Sequence, residues 1–113
     1  MILRERENKA VDEFVSLVIQ KMSGQVKELT LFGSRARGDS KRNSDIDVFV
    51  LVNRENLKNW EKIQTLSALV SLKFDVVLSA LVMDAKRYKI HAQLKTLLFR
   101  NISRDGIRLW KKK

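Results

Sequence analysis

Leu31-Phe32-Gly33-Ser34-Arg35-Ala36-Arg37-Gly38-Asp39-Ser40-Lys41-Arg42-Asn43-Ser44-Asp45-Ile46-Asp47 sets a glycine–serine pair ahead of two carboxylates spaced two residues apart. The acids open an apolar run, Val48-Phe49-Val50-Leu51-Val52. Its β-branched content, its length and the Asn43-Ser44 turn residues before it read as a strand over 45–52. Positions i and i+2 of a strand share a face, so Asp45 and Asp47 project side by side. Like charges held that close raise each other's pKa unless a cation lies between them. A hard divalent cation such as Mg²⁺, which takes oxygen ligands and shares them with substrate phosphates, answers that need. Taken alone, an Asp-x-Asp pair is also what a solvated strand edge looks like.

Upstream, Val26–Phe32 alternates as a second strand, and Gly33 interrupts it at once. Glycine lets the backbone turn sharply and lets a ligand approach closely. Ser34 adds a hydroxyl and a backbone N–H at the mouth of the sheet, where donors of that kind can hold phosphate. Arg35, Arg37, Lys41 and Arg42 follow, against the lone acid Asp39, so the loop is anion-receptive. Downstream, Lys73-Phe74-Asp75-Val76-Val77-Leu78 reads as another short strand, over 74–79. Asp75 is then either a strand-edge acid paired with Lys73 or an arginine, or the third carboxylate of a two-metal phosphoryl-transfer site.

Gly33-Ser34, ten residues, then Asp45-Ile46-Asp47, with Asp75 on a later strand, resembles the signature of the DNA polymerase β-like nucleotidyltransferase superfamily. The wording Phe32-Gly33-Ser34-Arg35-Ala36-Arg37-Gly38-Asp39, followed by Ser44-Asp45-Ile46-Asp47, is similar to the minimal nucleotidyltransferases, many of which are MntA antitoxins acting beside a HEPN ribonuclease toxin. The loop departs from that pattern at Lys41-Arg42-Asn43, where a proline and more acidic or neutral residues are usual.

The resemblance implies an α+β fold (an α/β sandwich), with a small mixed sheet carrying helices and residues 1–113 forming one domain. It implies catalysis by Asp45, Asp47 and Asp75, the same three acids holding two Mg²⁺ ions, with ATP as co-substrate. Gly33 and Ser34 would grip the terminal phosphates, and Arg35, Arg37 and Arg42 would offset their charge. The implied activity is transfer of AMP to a hydroxyl, foremost a tyrosine of a partner HEPN toxin, by the antitoxin of a type VII-like pair. Two other readings stay open: an antitoxin that neutralises its partner by binding alone, and a nucleotidyltransferase acting on RNA or a small molecule.

Composition bounds these readings. A chain of 113 residues, 44% hydrophobic and 32% charged, supports one globular core. No apolar run approaches the roughly 18 residues that span a bilayer, and the mixed charge of residues 1–7 is unlike a signal peptide. The absence of cysteine removes disulfides, thiolate metal sites and a thiol nucleophile. A cytoplasmic protein is expected. The net charge of +10 is uneven: residues 84–113 hold 10 basic and 2 acidic side chains, a balance of +8. Such a segment can dock an acidic protein partner in a hetero-complex or oligomer, bind nucleic-acid phosphates, or lie solvated.

Apolar spacing predicts helices over 4–22, 55–72 and 85–101, and a short strand over 107–110. Gly24 is expected to close the first helix in the left-handed conformation. Leu57, Trp60, Ile63, Leu66, Leu69 and Val70 are expected on one face of the second, and Asp84 as the cap of the third. Arg87 and His91 stand closer together than the catalytic pair of HEPN ribonucleases, so His91 reads as a helix-surface residue. No Gly-Lys-Ser/Thr follows a glycine loop, which excludes a P-loop.

Overall fold

The structure, a computed structural model, describes residues 3–38 and 44–113. Four strands, β1 (Val26–Phe32), β2 (Ile46–Val52), β3 (Leu78–Asp84) and β4 (Ile107–Lys111), form one sheet in the order β3-β2-β1-β4. β1 pairs antiparallel with β2 and with β4, whereas β2 and β3 are parallel. Parallel neighbours need a crossover, and helix α3 (Leu57–Phe74) supplies it. The sheet is therefore mixed and the class α+β, as expected.

Alternation along the strands divides the apolar residues between two faces. Ile46, Val48, Val50 and Val52 of β2 face α3 and helix α1 (Glu5–Met22), with Leu29 and Leu31 of β1 and Leu78 and Val82 of β3 beside them. α1 answers with Ala10, Val11, Phe14, Val18 and Met22, and α3 with Ile63, Leu66 and Val70. Phe49 and Met83 point the other way, into a smaller core closed by Ile102 and packed with Tyr88 and Leu98. That cover comes from α4 (Ala85–Leu94), α5 (Leu97–Arg100) and a π-helical turn over Asn101–Asp105. The two layers are unequal: the acid-bearing end of the second face lies beyond the small core.

Several expectations shift. The third strand is Leu78–Asp84, not 74–79, because α3 runs on to Phe74 and Asp75 caps it. Asp75 adopts the left-handed conformation, φ 53°, with its N–H donating to the Ser71 carbonyl, a conformation aspartate tolerates better than most residues. The third helix is broken at Lys95, also left-handed at φ 51°, and restarts where the Thr96 hydroxyl accepts from the Phe99 N–H. Gly24 is not left-handed; α1 ends in a turn closed by the Gln25 N–H on the Met22 carbonyl at 2.9 Å. In α3 the buried stripe is Ile63, Leu66, Ser67 and Val70, and Leu57, Trp60 and Leu69 point outward. Asp84 caps α4 as expected, accepting from the Arg87 N–H at 2.8 Å.

Ser67 belongs in that stripe because β3 is an edge strand. The Ser67 hydroxyl donates to the Leu78 carbonyl, the Leu78 N–H donates to the Ser71 hydroxyl at 3.0 Å, and Gln64 donates to the Ala80 carbonyl at 2.9 Å. α3 thus satisfies backbone groups of Leu78 and Ala80 that an edge leaves bare.

One buried ion pair ties α1 to the short helix α2 (Ser34–Arg37). The Arg35 guanidinium donates to both carboxylate oxygens of Glu7, at 2.8 and 2.6 Å, and to the Ser44 hydroxyl and carbonyl, each at 3.1 Å. Glu7 also accepts from the Arg4 N–H at 2.8 Å. The Arg35 hydrogen bonds outweigh burial and hold the Glu7 carboxyl below its ordinary 4.5. A depressed carboxylate pKa contributes stability that is present above the unfolded value and is lost as pH falls through the folded one. Glu7→Gln leaves Arg35 buried without its counter-charge, so it is expected to cost about 3–5 kcal/mol at pH 7. It is also expected to flatten the loss of stability below pH 4.5. Urea denaturation of both proteins at neutral and acid pH checks this, and equal midpoints at pH 7 would refute it.

Candidate active site

Asp45 stands just before β2 and Asp47 is its second residue, so the strand period puts both carboxylates on the face opposite α1 and α3. Asp45 is exposed and Asp47 half-buried. Burial pushes the Asp47 carboxyl above its ordinary 3.8, and the charge of Asp45 pushes it further. Neither acid forms a salt bridge with a described residue. Among the described residues, the Ser79 hydroxyl donates to Asp45 Oδ2 at 3.4 Å.

Gly33 lies over this pair. β1 ends at Phe32, which is paired with Asp47, and Gly33 follows at φ +77°. A Cβ built on Gly33 would sit 2.5 Å from Asp47 Oδ2. Both the positive φ and the missing side chain are therefore required. Ser34 opens α2 directly after it. The Ala36 and Arg37 N–H groups both return to the Gly33 carbonyl at 3.2 Å, and the Gly38 N–H closes the turn on Ser34 at 2.9 Å.

The remaining expected site residues fare differently. Arg35 does not face the acids: its guanidinium is buried against Glu7 and Ser44, where it braces the loop that carries Gly33 and Ser34. Arg37 closes α2 and is exposed. Arg42 lies outside the described residues. Asp75 does not join Asp45 and Asp47. It lines a cleft of about 170 Å³ with Arg4, Arg6, Glu7 and Val77, between the first turn of α1 and the segment after α3. Among the described residues, no three acidic, histidine or cysteine side chains gather as a metal site. The acidic pair alone fits a divalent cation: two adjacent carboxylates, without a salt bridge to a described residue, beneath a glycine that leaves room above one of them. Glu7, Ser44 and Ser79 escaped the sequence reading. A serine two residues into the run Leu78–Asp84 was the available signal for the last of them.

Gly33→Ala is expected to destabilise the protein by about 1–3 kcal/mol through backbone strain and to displace the Asp47 carboxylate. Combining it with Asp47→Ala removes the clash but not the strain, so the two losses should not add. A double-mutant cycle in urea reads this directly, and strict additivity would contradict the contact.

Comparison with known proteins gives the site its context. Residues 11–107 match the family model of the nucleotidyltransferase domain. A candidate protein adenylyltransferase of Methanocaldococcus jannaschii is 31% identical over 100 residues, covering 88% of this chain and 94% of that protein. A crystal structure of a toxin–antitoxin with AMP-PNP superposes with a TM-score of 0.61 at 22% identity, over 90% of this chain and 73% of that one. A tri-AMPylated Shewanella oneidensis HEPN toxin in complex with its MNT antitoxin aligns with a TM-score of 0.54 at 17% identity, over 93% of this chain and 72% of that one. The Gly-Ser turn set over paired aspartates thus sits within a matched fold and a matched sequence family, and the chain belongs to the nucleotidyltransferase domain family.

Proposed function

We propose that this nucleotidyltransferase transfers AMP from ATP, with Mg²⁺, to a tyrosine hydroxyl of a HEPN-type toxin and so acts as its antitoxin in the cytoplasm. The observation that carries the chemistry is the close approach of Gly33 to Asp47 beside Asp45. That arrangement presents an acidic pair, without a salt bridge among the described residues, to a cation–phosphate complex. Asp45 and Asp47 would hold the cation, and when bound it would supply positive charge to offset that of the triphosphate and of the departing pyrophosphate.

The chain's own groups do the rest. Gly33 gives the phosphates room, and Ser34 offers its hydroxyl and its amide to the terminal phosphates. Arg37 adds positive charge at the end of α2, while Arg35 holds the loop in place from behind. The acceptor oxygen attacks the α-phosphorus in line. The bond from that phosphorus to the oxygen bridging to the β-phosphate breaks, pyrophosphate departs and the acceptor proton passes to solvent.

The relatives support a protein acceptor: one is named for protein adenylylation, and another is solved beside an AMPylated toxin. Two surfaces suit docking. One is the outward face of α3 with Leu57, Trp60 and Leu72, and the other is the basic stretch with exposed Ile90, Leu94 and Leu97. No helix among the described residues is long and apolar enough to cross a membrane. A second reading, neutralisation by binding alone, draws on the absence of a third acid beside the pair among the described residues.

Incubation with ATP labelled at the α-phosphate, Mg²⁺ and a HEPN partner separates the two. Asp45→Asn/Asp47→Asn is expected to lower labelling by roughly 100-fold or more, the scale of losing preorganised electrostatic partners, while leaving complex formation intact. Labelling that survives the double substitution, or none from the native chain, would defeat the catalytic reading.

A further inference from the structure

The register of β3 decides how many cations the site can take, an inference that rests on the nucleotidyl-transfer reading. Parallel pairing sets Ile46 beside Leu78, Asp47 beside Ser79 and Val48 beside Ala80. Neighbouring strands lie ≈ 4.7–4.9 Å apart, so residue 79 is where a third ligand from β3 would have to come from. On the other side of Asp47 the paired residue is Phe32. Further along the same face, β3 offers Leu81 and then Met83, both in the small apolar core. The acid that follows, Asp84, is at the far end, abreast of Val52, and is committed to capping α4. Asp75 precedes the strand and lines the cleft beside Glu7.

We propose that Ser79 takes the place of a third carboxylate, making this a two-carboxylate site that binds one divalent cation with its nucleotide. A hydroxyl is a neutral ligand, so it cannot bridge and offset two divalent ions that would otherwise repel at close range. It serves the pair instead as a donor, fixing the Asp45 carboxylate through the 3.4 Å contact. Mg²⁺ tolerates this, since it keeps several waters and commonly takes one or two carboxylates plus substrate phosphates. Ser79 is a positioning residue here, and the number of cations is set by which residue stands abreast of Asp47.

Native mass spectrometry of the full chain with Mn²⁺ and α,β-methylene-ATP, an analogue that cannot be split at the α-phosphate, counts the ions directly. The native chain is expected to form a complex with one nucleotide and one Mn²⁺, and Asp75→Asn the same. Ser79→Asp restores a carboxylate at the register position and is expected to take two, with the second Mn²⁺ visible as a coupled pair by electron paramagnetic resonance. Two ions on the native chain, or an ion lost on Asp75→Asn, would overturn the inference while leaving nucleotidyl transfer standing, and neither result depends on Ser79→Asp folding. No Mn²⁺–nucleotide complex with the native chain would overturn both.

Discussion

The guanidinium of Arg35 is the constraint on which the rest of the site depends. It is buried, and its hydrogen bonds reach Glu7 in the first turn of α1 and Ser44 at the entry to β2. Arg35 itself belongs to the short helix that follows Gly33. One planar cation therefore joins three segments: the helix layer, the Gly-Ser turn and the acidic start of the central strand. An arginine suits this task because its fork of donors can satisfy a carboxylate and a second acceptor together. The glycine can then stay close to Asp47 without the turn collapsing onto it. An ion pair on the helix side of the sheet thereby holds open a mouth on the other side.

Repulsion stored at the mouth is the counterpart of this brace. Asp47 is partly desolvated next to Asp45, which accepts from the Ser79 hydroxyl. Such an arrangement costs stability unless a positive charge arrives, and it persists because the buried cores on both sides of β2 over-determine the strand. Here the destabilised element is also the proposed site of chemistry.

Much of this was legible in the sequence, for local reasons. Strand period alone placed Asp45 and Asp47 on one face, and a glycine at the end of an alternating run marked the turn above them. What failed was whatever depended on distant parts of the chain. Arg35 reads as one more cation in a basic loop, because its partner Glu7 lies 28 residues away. Asp75-Val76-Val77 has the composition of a strand start, yet Phe74 packs on the core and draws α3 through it. The competing run, Leu78–Asp84, matches β2 in length and ends at a recognisable helix cap, which was the available clue to the register. The outward turn of Leu57, Trp60 and Leu69 was hidden for a related reason. A wide apolar stripe does not reveal how much of it the sheet can cover.

The polar side chains of α3 that occupy the backbone groups of β3 have a consequence for assembly. With Ser67, Ser71 and Gln64 already bonded to that strand, another strand finds few groups left to pair with on the side of the sheet nearest the acids. Any oligomer or fibre that grows by strand addition is steered to β4, the opposite border, where Arg108, Lys111 and the following lysines repel a second copy. The fold thus guards its acid-bearing border against self-association by hydrogen-bond occupancy and its other border by charge, and Asp45 stays exposed to solvent.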